Sequence, residues 1–358
     1  MSPTSSSWPT LAIPTDLQGF DAPWVTQALT TALPGVDVIR VERDAITHGT
    51  ATRARLRLEY RRGAPPGPDS LWLKTGCEPH AAYLAEIGTY ASEVNFYAQL
   101  RDLVSVRTPK CYFAAFDAHT PQFVLLLEDL QASGVRWGTP GTSSLGDVRA
   151  ALDTFARLHA RWWEDAGLNR FPWLQSTAVG GVADHYRRRD VALLTRALAR
   201  PRARELPTSL HDADELVRAF RAVLDLSATP PVCVVHGDAH VGNVFFDPDG
   251  TPGLLDWQGT KRARWAYDIA QFVISALSIE ERRAQERDLL RHYLGHLEAL
   301  GVTSPSWDAA WLDYQRHTIY PLVGWLCTEG YQPESVAAAN VAQFGAAAAD
   351  FDLLARFG

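Results

Sequence analysis

The chain has 358 residues, 46% of them hydrophobic and 21% charged, with a formal net charge of −7. That length allows two packed lobes, and the acidic balance with no dense Lys/Arg run argues against general nucleic-acid binding. No run approaches the roughly 20 apolar residues of a membrane span.

In chain order, residues 1–20 are rich in Ser, Thr and Pro and suggest a flexible N-terminal arm. Met1 to Thr10 lacks the basic and apolar regions of a signal peptide, and the four cysteines (Cys77, Cys111, Cys233, Cys327) form no C-x-x-C pair, so a reducing cytoplasm is expected. Residues 21–33 read as a short helix closed by Pro34-Gly35. Strand patterns follow at 36–46, 52–60 and 70–75; in the second, Leu56 and Leu58 alternate with Arg55 and Arg57. A helix is expected over 81–103, with Tyr90, Val94, Tyr97 and Leu100 at helical spacing, then strands over 111–116 and 122–128. Beyond the Gly/Ser/Thr-rich stretch 133–144, helices are expected at 145–166, 181–200, 211–226, 265–278, 280–300, 306–326 and 334–356. Their one expected strand interruption is a hairpin near 232–256. The Arg187-Arg188-Arg189 run and the arginines of 196–204 read as a solvated helix face and end.

That interruption carries the chemistry. Val232 to Val235 lead into His236-Gly237-Asp238-Ala239-His240-Val241-Gly242-Asn243, and a turn at Asp247-Pro248-Asp249-Gly250 folds the chain back to Asp256-Trp257-Gln258. One carboxylate sits early in the loop, and a carboxamide and a second carboxylate come together beyond it. Phosphoryl transfer needs such a set: a base for the attacking hydroxyl and oxygen ligands for magnesium. The competing reading is a polar hairpin whose Asp and Asn residues shape turns, which suits Asp247 and Asp249. A zinc site is not expected, because His236 and His240 have no matching Cys/His cluster nearby in sequence.

Asp238 and Asn243 stand five residues apart, like the Asp and Asn of the kinase loop H-R-D-x-x-x-x-N, and Asp256 takes the place of the D-F-G aspartate. The segment resembles the HGDxHxxN…D signature of the aminoglycoside phosphotransferase and choline kinase superfamily. The resemblance implies an α+β, bilobal protein-kinase-like fold: a small antiparallel-sheet lobe over 1–130 for nucleotide, and a larger helical lobe over 131–358 with the catalytic loop and substrate site. It also implies ATP as donor, with GTP left open, Mg2+ held by Asn243 and Asp256, and Asp238 as catalytic base. His240 is a further candidate for phosphate or substrate contact, and His236 is expected to organise the loop. Asp268, which resembles the family's later aspartate, is expected to hydrogen-bond back to that loop.

Only three lysines occur, Lys74, Lys110 and Lys261, against 31 arginines. Lys74, ending the third strand, is the expected phosphate-contacting lysine, with Glu93 preferred over Glu86 as its partner. Thr47-His48-Gly49-Thr50-Ala51-Thr52 is a poor glycine loop, in which Gly49 and Thr50 are the candidates to cover phosphates. Phe123 to Leu130 resembles the strand-to-hinge passage, placing the adenine edge at the backbone of Glu128, Asp129 and Leu130.

The acceptor expected from this resemblance is a hydroxylated small molecule, met by a monomer or homodimer. Gly237 replaces the arginine of H-R-D and argues against a phosphorylation-gated protein kinase. Asp256-Trp257-Gln258 and the run Ser92 to Asp117 look like the ecdysteroid-kinase-like branch. The C-terminal region is not dense in the acids that a polycationic aminoglycoside needs. An aminoglycoside phosphotransferase and a nucleotide-binding, pseudokinase-like regulator are the alternatives. Trp307, Trp311, Tyr314, Tyr320 and Trp325, with Trp162, Trp163 and Trp265, are either core or an aromatic acceptor pocket.

Overall fold

A computed structural model describes residue 8 and residues 10–204, 206–330 and 332–357. The chain forms two compact units, Met1–Val104 with Thr108–Val135, and Ser105–Arg107 with Arg136–Gly358.

In the first unit, α1 (Ala22–Leu29) precedes β1 (Val38–Thr47), β2 (Thr52–Tyr60) and β3 (Ser70–Thr75). Then come α2 (Ala81–Glu86), α3 (Thr89–Asn95), β4 (Cys111–Phe116) and β5 (Phe123–Glu128). The strands make one antiparallel sheet in the order β1-β2-β3-β5-β4. Strand alternation sorts the side chains: Ala54, Leu56 and Leu58 of β2, Leu71 and Leu73 of β3, and Val124 and Leu126 of β5 join one core cluster. Phe20, Val25 and Leu29 close that cluster, so residues 10–20 are not a loose arm. Leu11, Ile13 and Leu17 pack on it, and Trp24 Nε1 donates to Ala12 O at 2.8 Å. Apolar residues spaced among the Ser and Pro explain the anchoring. Residues 1–7 and 9 of the expected arm lie outside the described residues.

The helix expected over 81–103 is broken. Gly88 takes φ +87° between α2 and α3, and wide and tight turns finish the segment at Phe96–Leu100 and Arg101–Leu103. A left-handed residue cannot propagate a right-handed helix, and glycine supplies one at little cost.

The opposite sheet face contains a polar hub. The Asp129 carboxylate accepts from Arg55 Nε at 2.6 Å, from Ser70 Oγ, and from Trp72 Nε1 at 3.2 Å. It also accepts the backbone N–H groups of Gln131 and Ala132 at 3.2 and 3.3 Å. Burial would raise this carboxyl, but these donors and the Arg55 charge hold it below its ordinary value.

The second unit opens with β6 (Arg136–Trp137) and α4 (Leu145–Arg161), then α5 (Gly181–Arg187), α6 (Val191–Leu198) and α7 (Ala213–Ser227). Four short strands follow: β7 (Cys233–Val235), β8 (Val244–Phe246), β9 (Pro252–Leu254) and β10 (Lys261–Ala263). Then come α8 (Ala266–Ala276), α9 (Ile279–Ala299), α10 (Trp307–His317), α11 (Ile319–Cys327) and α12 (Glu334–Asp350). Side-chain caps start several helices where the sequence offers Ser or Asp, as at Ser144, Asp212 and Ser278. One such cap, Asp190, restarts the chain as α6 and splits the helix expected over 181–200. Two-residue β6 pairs with β8, and β10 pairs with β7, so the hairpin is not the only strand structure here. Among the described residues no helix is long and apolar enough to cross a membrane.

Replacing Asp129 by Ala strands Arg55 and several buried donors at once. Urea unfolding should show a loss of about 3–5 kcal/mol, the usual cost of orphaning a buried charge partner. A loss under about 1 kcal/mol would contradict the hub.

Candidate active site

In the first unit, Lys74 is the penultimate residue of β3, paired in register with Arg53 of β2 and Leu125 of β5. Its ammonium lies 2.7 Å from Glu93 Oε2 of α3, and the side chains are only 6% and 1% exposed. Glu86 is exposed at the end of α2, so the partner is Glu93. Two tethers hold the turn between β1 and β2. Glu78 accepts from Thr52 Oγ1 at 2.6 Å and meets His48 Nδ1 at 2.8 Å, and Tyr90 Oη donates to Thr50 O at 2.8 Å. Gly49 is buried within this turn and Thr50 is half-buried. The Tyr90 ring stacks on Phe123, centroids 4.0 Å apart, tying α3 to the sheet.

At the expected hinge, Glu128 N donates to Lys110 O at 2.8 Å, and Glu128 Oε2 accepts from Lys110 N at 3.0 Å. Leu130 is buried. The Asp129 side chain is consumed by its structural hub, leaving only its backbone for any ligand role.

In the second unit the loop begins as β7 ends. His236 Nε2 donates to Leu255 O at 2.9 Å, and its Nδ1 accepts from Asp238 N at 3.3 Å. Burial lowers the imidazole pKa against the opposing pull of Asp268 and Asp238, which suits this neutral tautomer. Gly237 takes φ +80°, and a Cβ there would stand 1.9 Å from Gly259 O. Both the left-handed backbone and the close approach demand glycine.

The loop backbone is read by α8, whose 11 residues are all buried. Asp268 Oδ2 accepts from His236 N at 2.7 Å and Oδ1 from Gly237 N at 2.9 Å. Gln271 Oε1 accepts from Ala239 N at 3.1 Å, and Ser275 Oγ from Val241 N at 2.9 Å. Positions 268, 271 and 275 lie on one helix face, so three turns of one rigid element fix the loop. From α4, His159 Nε2 donates to Asp268 Oδ2 at 3.1 Å, while its Nδ1 lies 2.8 Å from Tyr293 Oη. Burial would raise the Asp268 carboxyl; the His159 bond and charge, with His236 and the Gly237 N–H, hold it below the ordinary value.

Asp238 is thus aimed by backbone contacts, with its side chain one-third exposed. Gln271 Nε2 donates to Asp238 Oδ1 at 3.2 Å, and His240 Nε2 lies 4.0 Å from Oδ2. His240 Nδ1 accepts from Gly242 N at 3.1 Å and caps the short turn 241–243. Asn243 Nδ2 donates to Asp238 O at 2.8 Å, which commits the amide nitrogen and leaves the carbonyl oxygen for a ligand. Leu255 N donates to Asn243 O at 3.1 Å, bringing the next residue, Asp256, alongside. Asp256 adopts φ +65°, a strained state that costs of order 1–3 kcal/mol and clusters at functional sites. One amide oxygen and one carboxylate suit a hard divalent cation that keeps several waters. Among the described residues no cluster of three His, Cys, Asp or Glu side chains forms a metal cage.

Of the aromatic candidates, Trp162, Trp265 and Tyr314 are fully buried core. Trp307 and Trp311 stack 5.8 Å apart under Arg291 and Arg287. Trp325 lies 6.1 Å from the His240 ring, and the Tyr320 phenol is pushed up by burial, Tyr186 and Asp238. Gln271, Ser275, His159 and Lys261 escaped sequence reasoning. Polar residues recurring on one face of the apolar run 266–276 are the signal that points to the first two.

The model of the phosphotransferase enzyme family (APH) matches residues 54–311, and the chain belongs to that family. No curated protein matches. Among solved structures, the choline kinase LicA from Streptococcus pneumoniae is 14% identical, with a TM-score of 0.53 over 92% of this chain and 97% of its own. Aminoglycoside 2'-phosphotransferase-IIIa in its GDP complex is 11% identical, TM-score 0.51, over 92% and 99%. A Plasmodium vivax ethanolamine kinase is 14% identical, TM-score 0.50, over 86% and 81%. At these identities the likeness is one of fold: α+β, with a five-stranded antiparallel N-terminal sheet and a helical C-terminal region.

Asp268→Asn keeps one acceptor oxygen where two N–H groups need one each, so it should destabilise the protein by about 1–3 kcal/mol at neutral pH. Because the folded-state pKa is depressed, the carboxylate's contribution is present above the unfolded value of roughly 3.9 and is lost as pH falls through the lower folded value. Urea titrations of both proteins should therefore converge on acidification. A constant gap from neutral pH to below about 3 would refute this account of Asp268.

Proposed function

We propose that the protein transfers the γ-phosphate of ATP to a hydroxyl of a small organic molecule, with Asp238 as base. The observation that carries this reading is Asp238 itself: a partly exposed carboxylate whose backbone is clamped by α8 and Asn243. Asp238 orients the acceptor hydroxyl and takes its proton late, since a free alcohol is far too weak an acid to ionise first. Asn243 and Asp256 would hold Mg2+, which supplies charge neutralisation to the phosphates. Lys74, kept in register by Glu93, contacts the donor phosphates, with Gly49 and Thr50 offering backbone donors. The backbone at Glu128 to Leu130 receives the base. His240 borders the acceptor hydroxyl.

The D-W-Q continuation and the run Ser92 to Asp117 support placing the chain near the ecdysteroid-kinase-like branch. The mass of the C-terminal helices uses arginine–carboxylate pairs internally, which disfavours an aminoglycoside acceptor. The donor is ATP in this reading, with GTP a measurable second choice.

A phosphate-transfer screen over hydroxylated small molecules tests it. Asp238→Asn should lower kcat by about 10²–10⁴-fold while nucleotide affinity holds. Equal activity in the variant, or nucleotide binding without transfer to any alcohol, would overturn the assignment in favour of a regulatory nucleotide-binding protein.

A further inference from the structure

Beside Asp238 the second unit presents an aromatic wall that lies over positive charge. Tyr186 Oη of α5 and Tyr320 Oη of α11 are 2.8 Å apart, and the Tyr320 ring lies 4.1 Å from Tyr267. Trp325 continues the wall toward His240. Tyr186, Tyr320 and Trp325 all keep part of their surface exposed.

Two cations sit on these rings. Lys261 Nζ, buried, is 4.7 Å from the Tyr267 centroid, 5.9 Å from that of Tyr186 and 3.4 Å from Gly237 O. The Arg189 guanidinium is 4.9 Å from the Tyr186 centroid and 5.3 Å from that of Phe220. Among the described residues neither cation forms an ion pair, and the buried Nη1 of Arg189 has no hydrogen-bond partner. So Arg189 departs from the solvated helix end expected of the 187–189 run. Burial would push the Tyr186 phenol up, yet Lys261 and Arg189 bring it below its ordinary value.

The acids around this wall are already committed. Asp184 lies 3.5 Å from Arg187, Asp190 caps α6 through Leu193 N at 2.8 Å, and Asp313 meets Arg264 at 2.6 Å. Glu329 pairs with Arg200, and Asp268 serves the loop. A cationic acceptor would therefore face the potential of two cations without ion pairs, while the loop carboxylates, Asp238 and Asp256, are given to the hydroxyl and the metal.

We propose that the acceptor is an alcohol that also carries a carboxylate or similar anionic group, and that Arg189 is the specificity residue that binds that anion. The proposal rests on the transferase reading above. A guanidinium offers a planar fork matched to a carboxylate, and stacking on Tyr186 and Phe220 pre-orients it. In the reaction the bond from the γ-phosphorus to the bridging oxygen breaks and a bond to the acceptor hydroxyl oxygen forms. The hydroxyl proton goes to Asp238, and the acceptor's anionic group stays unchanged.

The test measures ADP release with ATP and Mg2+ against three panels sharing carbon frames: hydroxy acids, uncharged alcohols and amino alcohols. Hydroxy acids should lead in kcat/KM by about tenfold or more, as a charge-assisted bidentate contact provides. Arg189→Met should raise KM for hydroxy acids by about tenfold with kcat nearly unchanged, Arg189→Lys should recover part of it, and uncharged alcohols should be indifferent to both. Amino alcohols leading, or Arg189→Met and Arg189→Lys depressing all three panels alike, would overturn the anionic acceptor while leaving the transferase standing. Transfer to none of the panels would overturn both readings.

Discussion

Asp268, Gln271 and Ser275 form a polar stripe on a helix that is otherwise apolar and wholly buried, and the loop 236–243 hangs from it. Four backbone N–H groups, those of His236, Gly237, Ala239 and Val241, find their acceptors there. An irregular loop in a protein interior has no ladder to satisfy its amides, so each needs a partner from elsewhere. Supplying those partners from one rigid helix also fixes where Asp238 points. Glycine at 237 lets the backbone turn and pass Gly259, His236 locks the return strand through Leu255, and Asn243 ties the far end of the loop to Asp238 O. The bonds that satisfy the loop backbone are thus the ones that orient Asp238.

The first unit solves a related problem in a different way. Its sheet buries one face against α1 and the N-terminal segment, and carries its charges on the other. There Lys74 meets Glu93 and Arg55 meets Asp129. Removing ions from water is costly, and a buried pair repays that cost only with close geometry and further hydrogen bonds. Asp129 gathers five donors. Its side chain is therefore architectural, and the hinge role expected of this position falls to its backbone.

Much of this was legible beforehand. The alternation of Leu and Arg in 52–60 is a local pattern with one physical meaning. The bounds of β2, β3 and β4 were readable for the same reason. What escaped depends on distance in sequence. Nothing near 271 or 275 announces contact with 239 or 241, and His159 reaches Asp268 across 109 positions. The helix expected over 81–103 failed at Gly88 because side-chain periodicity survives a backbone break. The aromatic series at 307–325 divided between core and loop neighbourhood, since one spacing serves both. Arg189 was read as solvated because charge runs usually are, whereas two ring faces hold it.

We propose that Asp238, Asn243 and Asp256 form a phosphoryl-transfer centre in this family member. A crystal structure with non-hydrolysable nucleotide and Mn2+ in place of Mg2+ tests this best, because the metal's own anomalous signal locates the ion. The account predicts the ion bound to the Asn243 side-chain oxygen and the Asp256 carboxylate. An ion bound away from both residues, with nucleotide present, would contradict it.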